Sequence, residues 1–137
     1  MTALVITAAN VIPGSGAIID RGRYAGGALT RGQCVRLSSG TYVAADNTSS
    51  ANAAAVGIAL NDATTGQPVD VQTGGLITIG AAVVIKPYMV GAGAGAIIPC
   101  DDLAGGGEFG TLVGMAVSAT QIDLRFSASG AAAAAVT

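Results

Sequence analysis

Apolar residues in this chain come in short runs of Val, Ile, Leu and Thr, each closed within a few positions by Gly, Asn, Asp or Pro. They do not recur at helical spacing, and with 21 Gly and 4 Pro few windows long enough for a helix lack a breaker. Short β-branched runs divided by glycine-containing turns are the signature of an all-β chain with no significant helix. The pattern predicts strands at residues 4–7, 17–20, 34–37, 41–44, 55–60, 69–73, 76–79, 82–86, 96–99, 111–117 and 121–127. Ser38-Ser39-Gly40 predicts a tight hairpin turn with a positive-φ residue. Asn61-Asp62-Ala63-Thr64-Thr65-Gly66 predicts a side-chain-capped loop, after which Pro68 is confined to a strand start. Gly74-Gly75 is expected to break one strand from the next, and Gly91-Ala92-Gly93-Ala94-Gly95 to form a flexible hairpin tip. Gly105-Gly106-Gly107 reads as a second mobile loop.

Within this pattern lies a repeat. Val56-Gly57-Ile58-Ala59-Leu60, followed after a turn by Val69-Asp70-Val71-Gln72-Thr73, is echoed by Val113-Gly114-Met115-Ala116-Val117 and Ile122-Asp123-Leu124-Arg125-Phe126. Upstream, the stretch from Leu29 to Val35 matches that from Ile77 to Val83, and Tyr42-Val43-Ala44-Ala45-Asp46 matches the stretch from Ala96 to Asp101. One such unit cannot close its own core, whereas two packed together can. The expected architecture is therefore a small β-barrel or sandwich over residues 28–127, built from units at about 28–75 and 76–127. Residues 1–27 form an N-terminal arm with edge strands, and residues 128–137 a flexible Ala-rich tail. Gly57 and Gly114 sit inside strand patterns, where glycine marks a bulge or a close backbone approach.

Composition narrows the function. With 137 residues the chain makes one ordinary domain. Half of it is apolar (51%) and only 10% is charged, yet no stretch approaches the roughly 18 apolar residues of a spanning helix, so a soluble, non-membrane chain is expected. A surface so poor in charge suits a protein covered by neighbours, and oligomerisation is expected on that ground. The net charge is −2, and four of the six basic residues, Arg21, Arg23, Arg31 and Arg36, cluster near the N-terminus. No aromatic interleaving accompanies them, so nucleic acid is not an expected partner. Cys34 and Cys100 make no paired motif and read as small buried hydrophobes in a reducing compartment. The start of the chain lacks signal-peptide features, from which cytoplasmic synthesis is expected.

Candidate chemistry is sparse. There is no His, the commonest general base and metal ligand. Serine and cysteine nucleophiles consequently lack a histidine to activate them. Asp101-Asp102 is compatible with Ca²⁺ held together with backbone carbonyls, or with a polar loop start. The alternation from Gly91 to Gly95 matches neither phosphate-binding fingerprint. No enzyme, cofactor or metal is expected.

The order of these motifs carries a resemblance. Ile6-Thr7-Ala8-Ala9-Asn10-Val11, Leu29-Thr30-Arg31-Gly32-Gln33-Cys34-Val35, Gly66-Gln67-Pro68-Val69-Asp70-Val71-Gln72-Thr73-Gly74 and Ile77-Thr78-Ile79-Gly80-Ala81 stand in sequence with the two Val-Gly-x-Ala strands. Together, across residues 3–130, they resemble the capsid cement, or head decoration, proteins of tailed bacteriophages. The resemblance implies a β-barrel-like homotrimer on the outer capsid surface of the virion, bound where major capsid protein subunits meet. Its role would be structural, clamping the shell. Arg21 and Arg23, in the segment before the repeat, are the candidate capsid contacts; an edge strand added to the barrel is the alternative reading of that segment. Tyr24 and Tyr88 are the candidate trimer contacts. A second class of function stays open, a virion surface module such as a head fibre base or adhesin that recognises host carbohydrate.

Overall fold

The computed structural model describes residues 4–49, 51–100 and 109–132. Ten strands are present among them, β1 (Val11–Pro13), β2 (Ile18–Tyr24), β3 (Cys34–Ser38), β4 (Thr41–Ala44), β5 (Ala55–Ala59), β6 (Pro68–Ile79), β7 (Pro87–Val90), β8 (Ile97–Pro99), β9 (Phe109–Ala116) and β10 (Gln121–Ala132). One 3-10 turn, Ala8–Asn10, precedes them. The strands make one curled antiparallel sheet in the order β4-β3-β5-β6-β10-β9-β7-β8, with β1 and β2 added to β6. The protein is thus all-β, a half-barrel.

The order is palindromic about the β6–β10 pair, and the repeat explains why. In the first unit β3 pairs with β4 and β5, and β5 with the first half of β6. In the second unit β7 pairs with β8 and β9, and β9 with β10. The same four-strand connectivity is therefore used twice. Long β6 joins the two units: Gln72 lies between Ile19 and Ile58, and Ile77 between Pro13 and Ile122. Gly57 and Gly114 occupy the same place in each unit. A Cβ on Gly57 would stand 2.8 Å from the Gln72 carbonyl oxygen, and one on Gly114 would overlap the Asp123 carbonyl and stand 2.9 Å from Ile122. Both are close backbone approaches, as their position within strands implied.

Two clusters of buried side chains hold the sheet. The larger, with Ile58, Cys34, Ile77, Ile79, Tyr88, Val113, Ile122 and Leu124, fills the space between the units. The smaller, with Val35, Tyr42, Ala59, Val69 and Val71, lies on the other side of unit one beneath Ala25, Leu29 and Ala63. There the curl returns on itself, because Ala25 bridges to Tyr42 and Gly26 N–H donates to the Tyr42 carbonyl at 2.8 Å.

Several expected elements differ. Residues 4–7 are a strap rather than a strand. Leu4 and Ile6 pack on the larger cluster while Val5 is 88% exposed, so the alternation is real. Alternation alone supplies no ladder, and the strap's backbone reaches its neighbours through Leu4 N–H to Ile97 and Thr7 N–H to Gly80, both 2.9 Å. Residues 82–86 are not a strand either; the strand begins at Pro87, once Val83 N–H has bonded to Ala119 and Val84 N–H to the Tyr88 hydroxyl. An unbroken run of apolar residues has no period from which to read a boundary. Gly74-Gly75 does not interrupt the strand, which runs through it at a positive φ of 82° for Gly75. β10 continues to Ala132, where Ser127 was the expected end, and pairs Ala128 with Thr111. Asp101-Asp102, Gly105-Gly106-Gly107 and residues 133–137 of the expected tail lie outside the described residues.

The turns follow their sequence. Ser39 and Gly40 both take positive φ between β3 and β4, the two-residue hairpin geometry. Asn61 caps its loop, its amide donating to the Asp62 and Pro68 carbonyls while its oxygen accepts from Asp70 N–H. The loop from Gly91 to Gly95 does join a hairpin, β7 to β8. It is stitched to unit one, with Gly95 N–H donating to the Ala45 carbonyl at 2.8 Å and Cys34 N–H to the Gly95 carbonyl at 3.1 Å.

Candidate functional site

The N-terminal segment singled out by its arginines forms β2, which runs along β6 with every residue from Arg21 to Tyr24 exposed. Its register slips between Asp20, opposite Val71, and Arg23, opposite Val69. The extra residue is absorbed at Gly22, whose φ of 100° suits glycine and bulges the edge. Across the bulge Arg21 reaches Asp70, while Arg23 lies on the side of Asp20 and the β3–β4 turn.

Neither arginine is unpaired. Arg21 meets Asp70 at 2.7 Å, and Arg23 meets Asp20 at 3.1 Å while also donating to the Gly40 carbonyl at 3.3 Å. Asp20 in turn accepts from the hydroxyl of Tyr42, whose ring is buried in the smaller cluster. Burial, reinforced by the hydrogen bond to Asp20 and by its charge, holds the Tyr42 hydroxyl well above its ordinary pKa. The edge thus carries two ion pairs, of which the Arg23–Asp20 pair is anchored to the core through the Tyr42 phenol. Exposed ion pairs of this kind are worth about 0–1 kcal/mol each, so a partner carboxylate can exchange for either internal one at little cost.

Of the two tyrosines expected at subunit contacts, Tyr24 ends β2 with half its surface exposed. Tyr88 does not share that edge. It is 2% exposed within the larger cluster, and its hydroxyl accepts from Val84 N–H. An aromatic strand residue opposite Pro99 and Gly114 is core here, which removes Tyr88 as a contact anchor. The segment before the repeat also proves integral to the sheet: β2 pairs with β6, and the residues after it close unit one.

Cys34 is buried against the Ala96 carbonyl, and burial pushes its thiol up to about 12, so it stays protonated and inert. Cys100 is only half-buried, where the composition predicted a fully buried residue. Asp46 is held below its ordinary pKa, burial being outweighed by hydrogen bonds from Thr48 and Asn52 and by the Arg36 charge. No group of three or more His, Cys, Asp or Glu converges among the described residues, and no helix among them is long and apolar enough to cross a membrane. A groove of about 450 Å³ is lined by Asn10, Ile12, Thr78, Gly80, Ala81, Ala82 and Thr120, with no ionisable side chain.

One surface was missed by the sequence reading. The outward face of β1, β6, β10 and β9 carries Ile12 (53% exposed), Met115 (39%) and Val117 (47%). The signal was present in Val113-Gly114-Met115-Ala116-Val117, which is apolar at every position, as in strands covered on both faces. No family model matches this sequence, and no curated protein and no solved structure is significantly similar to it.

Proposed function

We propose that this protein is a structural capsid decoration protein, which binds the outer surface of a phage head where major capsid protein subunits meet and stabilises the shell. The observation that carries the proposal is the bulged β2 edge. It presents two arginines and a half-exposed tyrosine on a strand held in the sheet by β6. A low-charge all-β domain with an exposed apolar face supports a role in contact rather than turnover. In this reading Arg21 and Arg23 exchange Asp70 and Asp20 for acidic capsid groups, and three copies gather about a three-fold position of the shell, with Tyr24 at their contact.

Deleting residues 2–23 would remove two strands, so point changes are the proper probe. Purified protein should co-sediment with empty expanded heads, and Arg21→Glu/Arg23→Glu should lower that binding at least tenfold while leaving the thermal melt within a few degrees. Wild-type protein that stays in the supernatant while the heads pellet, yet binds a specific sugar on a glycan array, would overturn the proposal in favour of carbohydrate recognition.

A further inference from the structure

The two units use corresponding faces differently. In unit one Ile58 of β5 is fully buried in the larger cluster, and β5 packs on β9 and β10 of unit two. Met115 stands at the matching position of β9, and its face has no third unit to cover it. The units are therefore stacked back to front, and the back of unit two is the bare end of the stack. The front of unit one is already closed, because its smaller cluster is sealed by Ala25, Leu29 and Ala63. Head-to-tail continuation onto another chain is blocked at that end. The bare face is open to the same face of another copy, related by a two-fold axis.

The register shows that this face is suited to its own image. Leu76, Asp123, Met115 and Pro87 lie side by side across four strands, and Ile12, Thr78 and Gln121 form the adjacent row. Its charges are Asp123 and Arg125, two residues apart on β10 and in contact at 2.9 Å. A two-fold axis crossing β10 between them sets each Asp123 against the other copy's Arg125, so opposite charges meet across an otherwise neutral, largely apolar patch. On this face β10 turns Gln121, Asp123 and Arg125 outward, and Ile12, Leu76, Met115 and Val117 on either side flank that polar row with apolar side chains.

We propose that in free solution this face is buried against the same face of a second copy, giving a two-fold dimer. Five strands span only about 19 Å, so the contact is at the small end of specific interfaces and the pair dissociates in the micromolar range. Docking to a shell is not needed for the dimer, and the test separates the two.

The full chain is measured by sedimentation equilibrium from 1 to 100 µM, alongside Met115→Glu, Asp123→Arg and Asp123→Arg/Arg125→Asp. The expected result is twice the 13.1 kDa chain mass at the upper concentrations. Met115→Glu should weaken association at least tenfold with an unchanged melt. Asp123→Arg should weaken it too, and the double swap should restore it. A monomer at 100 µM, a trimeric mass, or a dimer indifferent to both Met115→Glu and the charge swap overturns the proposal. A monomer whose binding to empty heads is lost in Met115→Glu overturns it as well, assigning the face to the shell.

Discussion

Cys34 and Tyr42 are the two described residues whose surroundings most change their chemistry, and both changes have the same sign. Burial raises the Cys34 thiol from its ordinary 9.0 to about 12. Burial and then Asp20 raise the Tyr42 hydroxyl above its ordinary 10.0. Each is a neutral acid that the folded chain keeps protonated and the unfolded chain releases earlier. Their stabilisation is therefore fully present below the unfolded values and is lost as pH rises through them toward the folded ones. Urea melts should show stability falling from about pH 9 upward, and in Cys34→Ala/Tyr42→Phe the fall between pH 9 and 11 should be clearly shallower, each protein compared with its own value at pH 7. An equal slope in both proteins would show that other groups govern the alkaline limit. The buried role of Cys34 was legible from its residue type and company. The Tyr42 pairing was not, since Asp20 lies 22 positions away and reaches Tyr42 only because β2 closes unit one.

At the scale of the strand, the repeat makes matched demands on β5 and β9. Gly57 and Gly114 each leave no room for a methyl group against the neighbouring strand, where both the obstructing backbone and the side chain are fixed by the ladder. Gly57→Ala and Gly114→Ala should each destabilise by about 1–3 kcal/mol, as overpacked sites do. Gly27→Ala, with open space around it, should stay within about 0.5 kcal/mol. Chemical denaturation of the three variants tests this, and a neutral Gly57→Ala with a costly Gly114→Ala would show that the units are not equivalent at this position. The sequence located these glycines because a glycine inside a β-branched run is conspicuous. It misjudged Gly74-Gly75, for a doublet of glycines marks irregular backbone without saying whether the strand stops. Here Gly75 takes positive φ within the strand, and a Cβ there would overlap Gly16 of the link between β1 and β2.

For the whole molecule, β6 is the member neither unit can spare. Its first half belongs to unit one and its second half pairs with β10 of unit two, while the larger cluster draws side chains from both. Fragments 1–75 and 76–137 expressed separately should therefore show no cooperative thermal transition, whereas the intact chain should melt in one step by circular dichroism. A fragment melting cooperatively alone would make the units independent domains. What the sequence by itself determined was local: the strand-forming runs, the turn residues and the recurrence of one four-strand unit. Turn chemistry and side-chain period are written within a few residues, so they survive without knowledge of neighbours. Only the tertiary structure decided that Tyr88 is core, that the N-terminal arm is part of the sheet, and that Ile58 is buried while its counterpart Met115 faces outward. Those outcomes depend on which face another strand covers. That is settled by pairings between distant residues, and a period of two cannot distinguish inside from outside where both faces are apolar.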